Sequence, residues 1–152
     1  MTLKKQSGVT LIEMLIVMMI IAVIAGVSFP ALTSGLSSVR LSSASGSTAS
    51  FLTAAMNRVE RTETAAAIVI APKENRLEMY TAASGEKPEK TLPMPQDVKI
   101  EGEEQKRYVL QPGGTFPRIA LTLRSDKGLR RSIQIDPATG VPEIKRVTED
   151  KK

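Results

Sequence analysis

The chain has no cysteine and no histidine. These two absences remove disulfides, Cys or His zinc sites, thiol nucleophiles and any triad whose base is an imidazole. Tryptophan is missing as well and aromatics make up 3% of the chain, which leaves few rings on which nucleic-acid bases could stack. No Walker-type phosphate loop is present, because Gly113-Gly114 lacks the Gly-Lys-Ser/Thr that must follow. Charge of one sign is also scarce. The formal net charge is +5, and with Lys4, Lys5 and Glu13 set aside the remaining chain carries 19 Lys and Arg against 15 Asp and Glu. So mild and mixed an excess does not by itself imply a nucleic-acid partner. The lack of cysteine suits a reducing compartment and a disulfide-free periplasmic protein equally, so topology has to decide location. At 152 residues the chain has room for one membrane anchor and one small domain.

What the chain does have is one long apolar run. From Val9 to Phe29 a single charge, Glu13, interrupts 21 residues, and a helix of that length covers roughly 30 Å of hydrocarbon. Lys4 and Lys5 precede it, which holds the N-terminus in the cytoplasm and sends everything after Phe29 outward. Three readings compete: a cleaved secretory signal, a plain signal anchor, and a leader removed just before the apolar run. A carboxylate at the centre of a lone membrane helix costs about 2.5 to 3.5 kcal/mol on insertion scales, and less near the interface, with no return under the first two readings. The third supplies a partner. Cleavage between Gly8 and Val9 creates an α-amino group on Val9, one helical turn from Glu13 or opposite the Glu13 of a neighbouring chain.

The stretch "SGVTLIEMLIVMMIIAVIAGVSFPAL" resembles the N-terminus of type IV pilins and type II secretion pseudopilins. The likeness lies in a short basic leader ending at Gly8, the hydroxyl of Thr10, the "LIE" of Leu11 to Glu13, the apolar run, and Pro30 at the helix-kink position. Val9 departs from the usual Phe or Met. The resemblance implies cleavage after Gly8 by a prepilin peptidase, N-methylation of Val9, and a role for Glu13 in docking the subunit into a filament. Pro30 removes an intrahelical hydrogen bond and is expected to kink or unwind the helix. Ala22 and Gly26 have the small-xxx-small spacing of closely packed helices, or reflect ordinary membrane composition.

Beyond Pro30, Leu32, Leu36, Val39, Leu52, Met56 and Val59 recur mostly at helical spacing. Ser42 to Ser50, "SSASGSTAS", has poor helix propensity and reads as a supported helix or as a flexible linker; the resemblance favours helix through about Glu60. "AAIVIA" and "RLEMYTA" around "PKEN" predict a hairpin, Ser84 to Gln96 with its prolines predicts a loop, and "DVKIE" and "RYVLQ" two short strands. Ile119, Leu121 and Leu123 alternate before a Ser-Asp-Lys-Gly turn, Ile133 and Ile135 after it, and "DPATG" leads into a last strand, "VPEIKRV". This C-terminal third is similar to the core of the GspH/FimT group of minor pseudopilins and minor pilins.

The expected architecture is α+β and pilin-like: a long N-terminal helix, transmembrane then amphipathic, packed on a small antiparallel β-sheet or sandwich domain. The expected divisions are a leader over 1–8, a transmembrane or filament-core helix over 9–29, an amphipathic continuation over 30–64, a periplasmic β domain over 65–147 and a charged tail over 148–152. Glu101, Glu103 and Glu104 flank Gly102 and read as a solvated turn; Asp126 and Asp136 fit turns better than a calcium loop. No catalytic residue, metal or cofactor is expected. Lys127, Arg130, Arg131, Lys145 and Arg146 would form a small basic patch if the last two strands pair. The implied partners are other pseudopilins or pilins of the same filament, a prepilin peptidase, an inner-membrane assembly platform and, before assembly, the lipid bilayer. Nucleic acid is the second partner class, through the basic patch.

Overall fold

A computed structural model of the chain describes residues 9–147, with the side chains of 27–34 left out. The leader with Gly8, the charged tail and the Pro30 side chain therefore lie outside the described residues. The chain divides into two compact units, residues 1–36 and 37–152. Helix α1, Leu11–Thr62, runs through the sequence of both.

Within the first unit, the described part of α1 is apolar on every side. Leu11, Ile12, Met18, Met19 and Val23 are all exposed, Leu11 at 85%. Within the second unit, the same helix is two-sided. Leu41, Ala44, Ser45, Thr48, Leu52, Ala55, Met56 and Val59 are buried on one face, at the three- and four-residue spacing of a helix turned to a core. The Ser42 to Ser50 segment is helical despite its propensity. Its small side chains Ala44, Ser45 and Thr48 are buried, and both buried hydroxyls have partners: Ser45 Oγ donates to the Leu41 carbonyl one turn back at 2.7 Å, and Thr48 Oγ1 meets Met94 Sδ, distant in sequence, at 3.9 Å. Tertiary packing outweighs the weak local preference. The helix ends at Thr62, and Glu63 takes the left-handed conformation common just past a helix terminus.

Eight strands follow: β1 Ala66–Ala71, β2 Arg76–Thr81, β3 Lys90–Pro93, β4 Val98–Ile100, β5 Lys106–Leu110, β6 Ala120–Ser125, β7 Arg130–Ile135 and β8 Pro142–Val147. They form two antiparallel sheets, β3-β2-β1-β5 and β4-β6-β7-β8. This bears out the α+β, pilin-like fold class. Both hairpins read from sequence are present, as β1–β2 and β6–β7. The second closes through Ser125 to Leu129, where Gly128 has φ +81°, Ser125 N–H donates to the Leu129 carbonyl at 2.8 Å and Leu129 N–H to Ser125 Oγ at 3.2 Å.

The segment Ser84 to Gln96, expected as a loop, is corrected in part: it contains β3, which pairs with β2 from Arg76↔Pro93 to Met79↔Lys90. Prolines concealed it. Pro93 is tolerated because it ends β3, an edge strand, and Pro88 and Pro95 fall outside the strand.

One apolar core joins α1 to both sheets. Leu41, Leu52 and Val59 from the helix, Ile68, Ile70 and Leu77 from the first sheet, and Val98, Leu123 and Ile133 from the second all belong to it. Asn75 ties the sheets by polar contacts. Its φ of 52° ends the β1–β2 turn, its Nδ2 donates to the Val98 carbonyl at 2.8 Å, and its Oδ1 accepts from Ile100 N–H at 3.0 Å. Gly140, φ +67°, is required where the chain turns into β8: a Cβ there would sit 2.6 Å from the Phe116 ring.

Candidate functional site

The helix start carries the acid that the apolar run has to accommodate. Thr10 stands just before α1, and its Oγ1 accepts a hydrogen bond from Glu13 N–H at 3.3 Å, while Met14 N–H donates to the Thr10 carbonyl at 3.2 Å. Thr10-x-x-Glu13 is thus half of a capping box, with the hydroxyl satisfying one of the helix's unpaired first-turn donors. In such a box an acid at the third helical position turns back toward the amide preceding the helix, and it favours the positive end of the helix dipole. That is the side on which Val9 lies. The sequence holds this signal as Thr followed three residues later by Glu at the head of an apolar run.

After Glu13 the helix presents Met14, Leu15, Ile16, Val17, Ile20, Ile21 and Ile24 with between 45% and 59% of each side chain exposed. A helix apolar all round is stable only when something apolar surrounds it. Among the described residues no helix is long and apolar enough to cross a membrane; the described apolar side chains of this run stop at Gly26. Ala22 and Gly26 lie in α1, and a Cβ at Gly26 would meet nothing within 4 Å.

The basic residues read from the C-terminal strands are distributed by register. Arg131 pairs with Arg146, and both lie on the face that carries Leu123 and Ile100. Arg130 and Lys145 project from the opposite face, on which Arg130 Nε meets Glu101 Oε1 at 2.8 Å and Lys145 Nζ meets Glu143 Oε2 at 2.8 Å. That ion pair is exposed and raises the Lys145 pKa above its ordinary value, first through the hydrogen bond to Glu143 and then through its charge. Lys127 sits in the β6–β7 turn. By register two of the five share the core-side face, two the outer face, and one the turn between, and Arg130, Arg131 and Arg146 line one cleft at the strand ends. Lys99 and Arg124, absent from the sequence reading, are register partners on β4 and β6 and continue the outer-face row to Arg130. Only strand order reveals that row.

On the outer face of the first sheet, Glu78 is 6% exposed, with Arg76 Nε at 2.6 Å and the Tyr80 hydroxyl donating at 2.8 Å. The hydrogen bond to Glu78 is the main cause that raises the Tyr80 pKa above 10. Arg107 stacks over the Tyr80 ring at 5.6 Å. Glu101, Gly102, Glu103 and Glu104 form the bend between β4 and β5. Asp136 Oδ1 accepts from Ala138 N–H at 2.9 Å, an Asx turn.

Residues 3–29 match the family described as the prokaryotic N-terminal methylation motif. The match covers the basic lead-in, the Gly8–Val9 junction, Glu13 and the whole apolar run. It marks the chain as a type IV pilin-like protein, made as a membrane-anchored precursor and built to assemble with other pilins after processing by a prepilin peptidase. A structural role, not catalysis, is what such a motif indicates. No curated protein and no solved structure matches the chain.

Proposed function

We propose that the protein is a minor pseudopilin, a structural subunit of the type II secretion pseudopilus near its tip, supporting export of folded proteins across the outer membrane. It is processed between Gly8 and Val9, N-methylated on Val9, and held beforehand as a single-pass inner-membrane protein with its C-terminal domain in the periplasm. The observation that carries this reading is the capped, all-round apolar helix whose single acid, Glu13, stands at its first turn. In the precursor, lipid surrounds the helix; in the filament, neighbouring helices do. The Val9 amine made by cleavage, on the same subunit or the next, offsets the charge of Glu13 when both leave water. The β unit is left to make lateral contacts with other pseudopilins and with the inner-membrane assembly platform.

The intact mass of the mature protein tests the processing step. A terminus at N-methylated Val9 is expected; a chain still starting at Met1, or cut beyond Gly26, overturns the reading. Glu13→Gln tests assembly: incorporation into filaments falls sharply while the unfolding midpoint of the β unit is unchanged.

A second reading is a minor pilin of a type IV pilus or competence system that binds DNA. The outer-face row Lys99, Arg124 and Arg130 favours it, since cations on adjacent strands suit a phosphate backbone. Glu101 beside Arg130 weighs against it. Co-purification with other pseudopilins and a secretin supports the first reading, and salt-sensitive DNA binding by the full chain supports the second.

A further inference from the structure

The register places two arginines opposite each other on the core side of the second sheet, and their position asks for an anion. One row across that face runs Ile100, Leu123, Arg131, Arg146, on β4, β6, β7 and β8. Ile100 and Leu123 are buried, so the apolar core gives way to two like charges at its rim. Directly opposed like charges destabilise a strand pair. Charged residues on an edge strand commonly prevent unwanted pairing, which would account for Arg146 on β8. It does not account for Arg131, half-buried on an interior strand beside Leu123.

Among the described residues the nearby carboxylates are already engaged. Asp97 holds Arg40 at 3.0 Å, Glu101 holds Arg130 and Glu143 holds Lys145. Asp126 is the remaining acid of the adjoining turn, and Lys127 follows it.

The two arginines line an open cleft of about 440 Å³ together with Ser38, Leu41 and Leu129 and, at the strand ends, the register partners Arg130 and Val147. Leu129 is 44% exposed and Val147 39%. Cationic side chains flanked by exposed apolar ones are the composition of a bilayer-interface contact. Ser38 is at the very start of the second unit, and the chain from Gly26 to Ser38 reaches at most about 40 Å however it is folded. If the apolar run is in a bilayer, the tether keeps the cleft within about that reach of it, and tethering amplifies even weak headgroup affinity.

We propose that this cleft is a docking site for the phosphate headgroups of an anionic bilayer, with Arg131 and Arg146 sharing one phosphate and Leu129 and Val147 entering the interfacial layer. The site rests on the membrane-anchored precursor reading. It would hold the β unit against the membrane before assembly and release it on extraction.

The test uses the full chain in phosphatidylcholine vesicles, with and without phosphatidylglycerol. Flotation reports anchoring, and amide hydrogen exchange over residues 126–131 and 145–147 reports the cleft. Flotation with both compositions is expected, with slowed exchange only where phosphatidylglycerol is present. Each of Arg131→Gln and Arg146→Gln reduces that protection about fivefold, from the attraction of one arginine to an anionic surface. The charge-preserving pair Arg131→Lys with Arg146→Lys retains most of the protection, and Lys145→Gln, on the other face, leaves it intact. Equal protection in both compositions, protection unaffected by Arg131→Gln with Arg146→Gln in a chain of unchanged unfolding midpoint, or protection reproduced in neutral vesicles by inorganic phosphate or an oligonucleotide overturns the lipid site while leaving the anchor standing. A chain that floats with neither composition overturns the anchor itself.

Discussion

Two stretches of one helix, Leu11 to Gly26 and Leu41 to Val59, have the same backbone and opposite surroundings. The first is apolar on all sides and exposed on all sides. The second buries one face against two sheets and leaves Ser43, Ser47 and Ser50 outward. The difference separates two sources of helix stability. Intrahelical hydrogen bonds and a Thr10 cap serve the first stretch, which has every apolar contact still to make. The second, rich in serine and weak in propensity, is held by a core it has already joined. A helix that keeps its largest apolar surface uncovered is a subunit awaiting a partner, as a type IV pilin-like protein requires.

The sharpest way to break this contrast is a matched pair of truncations. Leu52→Ala, at a fully buried position, lowers the unfolding free energy by about 2 to 5 kcal/mol in urea titration. Leu15→Ala, 53% exposed, leaves that value unchanged and shows itself only in filament assembly. An equal loss of stability from the two would erase the distinction.

Asn75→Ala comes next. It strips two hydrogen bonds from the β4 backbone and leaves Ile100 N–H and the Val98 carbonyl without their side-chain partner, costing about 1 to 3 kcal/mol. Thermal unfolding should record the loss, with no effect on processing between Gly8 and Val9.

The smallest effect is pH-dependent. The Tyr80 pKa is raised in the folded chain, chiefly by its hydrogen bond to Glu78, so the stability it contributes is fully present below its unfolded value near pH 10. That contribution is lost as pH rises through the folded value above 10. Tyr80→Phe should be less sensitive to pH in that window than the unaltered chain, while Arg107 still stacks on the ring. Identical pH profiles for the two would show that the bond to Glu78 contributes nothing.

The strands β1, β2, β6 and β7 were legible because alternation and turn residues are local signals: Ile68 and Ile70, Leu121 and Leu123, Ile133 and Ile135 each face one core. β3 was not, since three prolines resemble a loop until a partner strand is known. Nor was the role of Asn75, which looked like one more turn residue in "PKEN" while its amide reaches β4, 23 and 25 positions away.

By itself, the sequence determined the class of this protein. A cap, one acid and an apolar run are contiguous, and their chemistry follows from neighbours a turn apart. The fold class was also within reach, because period and punctuation are short-range properties. Only the tertiary structure decided which cations stand together. Of the five basic residues read from the sequence, Arg130, Arg131 and Arg146 line one cleft while their register faces differ, and Lys99 and Arg124 join the outer row, because a side chain's face depends on strand register. Register is set by the whole core, so no local stretch contains it.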